Sequence, residues 1–145
     1  FVQLIDARDL SEWIVQIVER RESGIFNVTS KPYGLNFENM LDKIKTATDS
    51  DCEFVWVDEK FLSINDVAPW SEMPFYLPES DKSAKNFLTM NVDRAIEKGL
   101  KFRSLSDTIL ATLKWRKEQN FEMKAGISTE RERELLNKWY ELRIQ

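Results

Sequence analysis

Val2-Gln3-Leu4-Ile5-Asp6-Ala7-Arg8-Asp9-Leu10-Ser11-Glu12-Trp13-Ile14, continued by Val15-Gln16-Ile17-Val18-Glu19 and closed by Gly24-Ile25-Phe26-Asn27-Val28-Thr29, contains two changes of hydrophobic period. Val2 to Ile5 is a short apolar run that predicts a buried strand. Asp6 and Asp9 then supply carboxylates where the unpaired N–H groups and the dipole of a helix start favour them. From Leu10 the spacing of Leu10, Trp13, Ile14, Ile17 and Val18 is helical, and Glu12, Gln16, Glu19 and Arg20 fill the other face. Gly24 predicts the stop of that helix, and Ile25 to Thr29 predicts a second strand.

Beyond this stretch, Lys31-Pro32-Tyr33-Gly34 reads as a turn, and Asn36 opens a second helix carrying Phe37, Met40, Leu41 and Ile44 to about Thr48 and Asp49. Glu53-Phe54-Val55-Trp56-Val57 predicts a third strand, and Asp58 caps a short helix through Phe61 and Leu62. Val67 to Thr89 holds Pro69, Pro74 and Pro78 among Trp70, Phe75, Tyr76 and Phe87, which predicts a long aromatic loop. Loops of that length often serve as lids or binding walls. Asn91 caps a short helix to Lys98 that Gly99 ends, and Ser104 or Ser106 opens a longer one through Ile109, Leu113 and Trp115. Thr129 and Glu132 fit a capping box for a last helix with Leu135, Leu136, Trp139 and Leu142. The expected fold is mixed α/β and helix-rich, a small sheet of about three short strands with four to five helices, in one domain spanning residues 1–145.

Composition narrows the chemistry. Of 145 residues, 42% are apolar and 32% charged, with 5 Trp and 9 Phe, enough to build a core. The net charge of −4 argues against general nucleic-acid binding, which favours a basic face. No apolar run approaches the roughly 20 residues that cross a bilayer. The first residues lack a basic signal-peptide start, and Cys52 stands alone, so a reducing, cytoplasmic setting is expected. The absence of histidine excludes a Ser-His-Asp or Cys-His nucleophile system and any imidazole metal site. The four glycines, Gly24, Gly34, Gly99 and Gly126, never reach the spacing of a phosphate cradle.

The aromatic loop supplies the candidate ligand site. Trp70, Phe75 and Tyr76 can line an apolar pocket with Glu72 and Asn86 as polar handles, or they can anchor the loop to the core. Arg103 can hold an anionic substrate group bidentately, or it can be an ordinary cation beyond a helix end. Asp6, Arg8 and Asp9 allow a loop-borne site or simple capping with a local ion pair. Cys52, between Asp51 and Glu53, lacks the electropositive surroundings that activate a thiol, so it is not expected to be a nucleophile.

Three blocks, Val2 to Ile14, Gly24 to Thr29, and Gly99-Leu100-Lys101-Phe102-Arg103-Ser104-Leu105 with Thr108, Thr112, Leu113 and Trp115, together resemble one family. They are similar to the C-terminal portion of NAD-dependent epimerases/dehydratases, the extended short-chain dehydrogenase/reductases, in particular reductase-like bacterial members. The segment from Phe54 to Asp58 and on to Pro74 resembles the same subgroup. The resemblance implies the substrate-binding part of an extended Rossmann-type reductase, acting on a small molecule with NAD or NADP. It also implies a missing N-terminal Rossmann half, because the Gly-rich loop and the Tyr-x-x-x-Lys pair are lacking. Tyr33, Tyr76 and Tyr140 are followed four residues on by Phe37, Ser80 and Ile144. On this reading Trp70, Glu72, Phe75, Tyr76 and Arg103 bind substrate, and the chain alone holds neither catalytic residue nor cofactor. The rival expectation is a stand-alone protein-interaction or small-ligand module. Loss of the partner half should expose apolar faces of the first helix and strands, which predicts self-association.

Overall fold

The computed structural model describes residues 1–119 and 124–144. Their architecture is helical: α1 (Ala7–Glu19), α2 (Phe37–Thr48), α3 (Glu59–Ile64), a 3-10 turn at Lys82–Ala84, α4 (Asp93–Glu97), α5 (Leu105–Glu118) and α6 (Thr129–Ile144). The chain divides into two compact units, one of Phe1–Asp51 with Asn86–Asn120, the other of Cys52–Lys85 with Phe121–Gln145.

The helix starts follow local chemistry. Asp6 accepts the Arg8 N–H at 2.8 Å, Asn36 that of Asn39 at 2.7 Å, Asp58 that of Phe61 at 2.7 Å, and Ser104 that of Asp107 at 3.1 Å. At α6 the cap sits one residue earlier than the expected box, where Ser128 Oγ accepts the Arg131 N–H at 3.1 Å. At the end of α1, Gly24 is not the stop. Arg21 takes a left-handed φ of 54°, and the Glu22 N–H reaches back to the Ile17 carbonyl at 3.0 Å. That is a Schellman closure made without glycine.

The expected three-stranded sheet does not form. Among the described residues there is no strand, and an isolated bridge between Pro69 and Met73 is the pairing seen. Val2 to Ile5 and Ile25 to Thr29 carry no regular structure in the first unit, and their backbones are bonded one contact at a time. The Ser30 N–H donates to the Leu4 carbonyl at 3.0 Å and the Val2 N–H to the Leu35 carbonyl at 2.9 Å. The buried Gln3 amide does the rest, donating to the carbonyls of Ser30 and Met90 at 2.7 and 2.9 Å and accepting the Met90 N–H at 2.7 Å. A ladder needs a neighbour that repeats its partner bonds, and here a side chain occupies those bonds. Glu53 to Val57 likewise remains outside any ladder, with Trp56 exposed.

Each unit has its own core. In the first, Trp13, Ala95 and Leu100 are buried with Ile5, Ile17, Phe26 and Val28 against them, and the Trp13 and Phe26 rings meet edge-on at 5.3 Å. In the second, Phe61, Leu62, Val67 and Leu135 are buried under Val57, Met73, Tyr76, Ile127 and Trp139, with Phe61 and Trp139 edge-on at 4.9 Å. The stripe expected to bury α1 is only partly used: Trp13 is buried, whereas Ile14 and Val18 face solvent.

Candidate functional site

Four of the five candidate substrate residues lie in the second unit, on the turn-rich segment from Val67 to Pro78. Its backbone is held by reciprocal bonds. The Ala68 N–H donates to Glu72 Oε2 at 2.7 Å while the Glu72 N–H donates to the Ala68 carbonyl at 3.1 Å. Inside that loop the Ser71 N–H donates to the Pro69 carbonyl at 2.7 Å, closing a three-residue turn around Trp70, and the Gly126 N–H donates to the Ser71 carbonyl at 2.8 Å. Trp70 and Phe75 both adopt a φ of 66°, a left-handed conformation that is costly for a bulky residue. The result is an aromatic corner. The two rings lie 5.6 Å apart at 59°, and Trp70 is 44% exposed.

Tyr76 stands behind this corner. Its N–H donates to the Met73 carbonyl at 3.0 Å, and its ring packs on the Phe61 and Leu62 core. Burial, with a smaller contribution from the Glu59 charge, pushes its hydroxyl pKa up, so the phenol stays neutral and able to donate. Glu59 is itself held below the usual carboxylate range, first by the Ser80 hydroxyl and then by the Glu79 N–H, which donate to it at 2.5 and 2.7 Å. Glu72 is therefore a brace of the loop, Tyr76 joins core to corner, and Trp70 is the exposed ring with the half-buried Phe75 against it.

Arg103 belongs to the first unit and is committed there. Its backbone N–H and Nε donate to the Asp9 carboxylate at 2.9 and 2.5 Å, and Nη2 reaches Glu12 at 3.0 Å. Asp9 is 8% exposed and the Arg103 side chain 20%. Beside this pair, Asp6 accepts Arg8 Nε and Nη2 at 2.9 and 2.7 Å. The Arg8 hydrogen bonds hold the Asp6 carboxyl far below its ordinary range. The arrangement ties the start of α1 to the segment before α5, a connection across 94 positions that no local spacing announces. It unites the Asp6, Arg8 and Asp9 cluster with Arg103, which the sequence presents as separate candidates.

The starts of α1, α2, α3 and α5 are each closed by their own side-chain cap. A Cβ at Gly24 would meet Arg94 and Phe26, and one at Gly99, where φ is 94°, would meet Arg20, each at 3.3 Å. Among the described residues no group of three or more carboxylate or thiol side chains is arranged to hold a metal ion, and no helix is long and apolar enough to cross a membrane. An open groove of about 350 Å³ runs along α5, lined by Leu110, Leu113, Lys114, Lys117 and Glu118. No protein-family description, curated protein sequence or solved structure matches this chain.

Proposed function

We propose that this chain is the substrate-binding region of a nicotinamide-dependent reductase or epimerase, with Trp70 and Phe75 as a wall for the apolar part of a small substrate. The observation that carries the reading is the corner itself. Two bulky residues are kept in left-handed conformations, by backbone bonds that involve neither ring, while the rings are held at a fixed mutual angle. Strain of this kind costs on the order of 1 kcal/mol per residue and persists where the surroundings enforce a geometry that serves a site.

The family resemblance supplies the reaction class, and one structural fact supports it. Its three blocks, residues 2–14, 24–29 and 99–105, meet around the Trp13, Ala95 and Leu100 core, with Ile5, Phe26 and Val28 packed on it. On this reading the cofactor, NAD or NADP, belongs to a partner half, because the Gly-rich loop and the Tyr-x-x-x-Lys pair of the family are lacking in this sequence. Mass analysis of the native product, captured by an antibody to this region, tests the proposal. A species of about 35 to 40 kDa, two domain-sized halves, that binds NAD(P)H is expected. A native product of 17.1 kDa would overturn the reading in favour of a stand-alone module.

A further inference from the structure

The outward side of α1 is apolar. At about 100° per residue, Ala7, Ser11, Ile14 and Val18 fall within about 60° of one another, with Val15 beside them, opposite the buried Asp9 and Trp13. Ile14, Val15 and Val18 are 47%, 55% and 69% exposed. The spacing of 4, 3 and 4 between these positions is the repeat of a helix-pairing seam, and no charged residue interrupts it from Ala7 to Val18. A surface helix normally turns such a stripe inward. Here Trp13, with Leu10 and Ile17 half-buried beside it, supplies the inward face, so α1 carries a second apolar face that its own unit does not cover.

We propose that this face binds a second copy of the chain, with the two α1 helices antiparallel about a two-fold axis. The seam is complementary to itself in that direction. Its N-terminal half is small, Ala7 and Ser11, and its C-terminal half is large, Ile14 and Val18, so reversal places Ala7 across from Val18 and Ser11 across from Ile14. The charges select the same direction. Arg8 and Glu19 lie about 20° apart on one flank of the seam, and a two-fold axis perpendicular to the helices brings that flank against itself. Arg8 of each copy then meets Glu19 of the other, twice per dimer. Asp6 takes the Arg8 Nε and Nη2 donors and Asp107 lies 3.7 Å from Nη2, so Nη1 carries the donors left for Glu19 of the other copy. A parallel pair would instead set Arg8 and Glu19 against the half-buried Leu10 and Ile17. The α5 groove lacks this property, since Lys114 and Lys117 rim its leucines.

A seam of five side chains is smaller than the ~800 Å² per partner of a standard interface, so the pairing is weak and concentration-dependent. Sedimentation velocity on the 145-residue chain, from low micromolar to several hundred micromolar, tests it. The expected result is a mass that rises from 17.1 kDa toward twice that value. Val18→Glu is expected to keep the chain monomeric throughout, and Glu19→Arg to weaken dimerisation about fivefold by setting like charges together. Both positions are exposed, and circular dichroism confirms that each variant keeps its helix content. A parent chain that stays monomeric overturns the proposal and leaves the face to a segment or partner outside this chain. A dimer that survives Val18→Glu overturns it too, and one that responds to Val18→Glu but not to Glu19→Arg overturns the antiparallel pairing.

Discussion

The clasp around Arg103 and the corner around Trp70 solve the same problem, fixing a non-regular segment, with opposite materials. At the clasp, charged side chains hold the backbone: Asp9 takes both the N–H and the guanidinium of Arg103, and Asp6 takes Arg8. At the corner, backbone bonds hold the side chains, and the one carboxylate involved, Glu72, serves the Ala68 N–H. A polar group spent on the fold is not available to a substrate. Arg103 and Glu72 are thus spent on the scaffold, and the ligand wall proposed above rests on Trp70 and Phe75 alone.

The largest expected effect breaks the clasp. Arg103→Ala leaves the Asp9 carboxylate, 8% exposed, without its cation, and removing one partner of a buried pair costs about 3 kcal/mol or more. Urea unfolding followed by helix content should show that loss, whereas Arg103→Lys, which keeps charge without the fork, should recover part of it. A change below about 1 kcal/mol would mean that Arg103 is not structural and would return it to the ligand-binding candidates.

Protonation offers a gentler way to open the same region. The folded-state pKa of Asp6 lies below its ordinary 3.8, chiefly through the Arg8 hydrogen bond. A lowered folded pKa means that the stabilisation is fully present above the unfolded value and is lost as pH falls through it toward the folded one. Stability should therefore decline from about pH 5 downward. Asp6→Asn keeps a capping oxygen but loses the ion pair, so it should cost about 1 to 2 kcal/mol at pH 7 and flatten the acid limb. Urea midpoints measured from pH 7 to pH 3 check both parts. An unchanged acid limb in the variant would remove Asp6 from the account.

How far these regions can be read from sequence follows from the range of the interactions. The helix starts at Asp6, Asn36, Asp58 and Ser104 are legible because a cap acts within three residues. The C-terminal stop of α1 is not, since Arg21 takes the left-handed position that composition assigns to glycine. The strands fail for another reason. Val2 to Ile5 has the pattern of a strand, but a ladder depends on a repeating neighbour, and nothing in the pattern says that Gln3 will take those bonds. On α1 the apolar residues Leu10, Trp13, Ile14, Val15, Ile17 and Val18 cover more than one face, and periodicity does not choose which faces inward. Arg103 and Asp9 are separated by 94 positions, beyond any spacing rule. The aromatic loop is announced by its prolines, although the left-handed φ of Trp70 and Phe75 has no compositional signal at all.

At the corner the expected change in stability is small. Trp70→Gly removes a ring that pairs with Phe75, worth about 0.5 to 1.5 kcal/mol, and also relieves a left-handed strain of about 1 kcal/mol that glycine does not feel. The two contributions oppose, so net stability should stay within about 1 kcal/mol of the parent, against the loss of about 3 kcal/mol at Arg103. Trp70→Ala loses the ring without relieving the strain and should be less stable than Trp70→Gly. Urea unfolding of the pair separates the two contributions, and the sign of their difference is the test. If Trp70→Ala were the more stable, the turn would not be strained, and the observation behind the wall proposed at Trp70 would be an ordinary loop conformation.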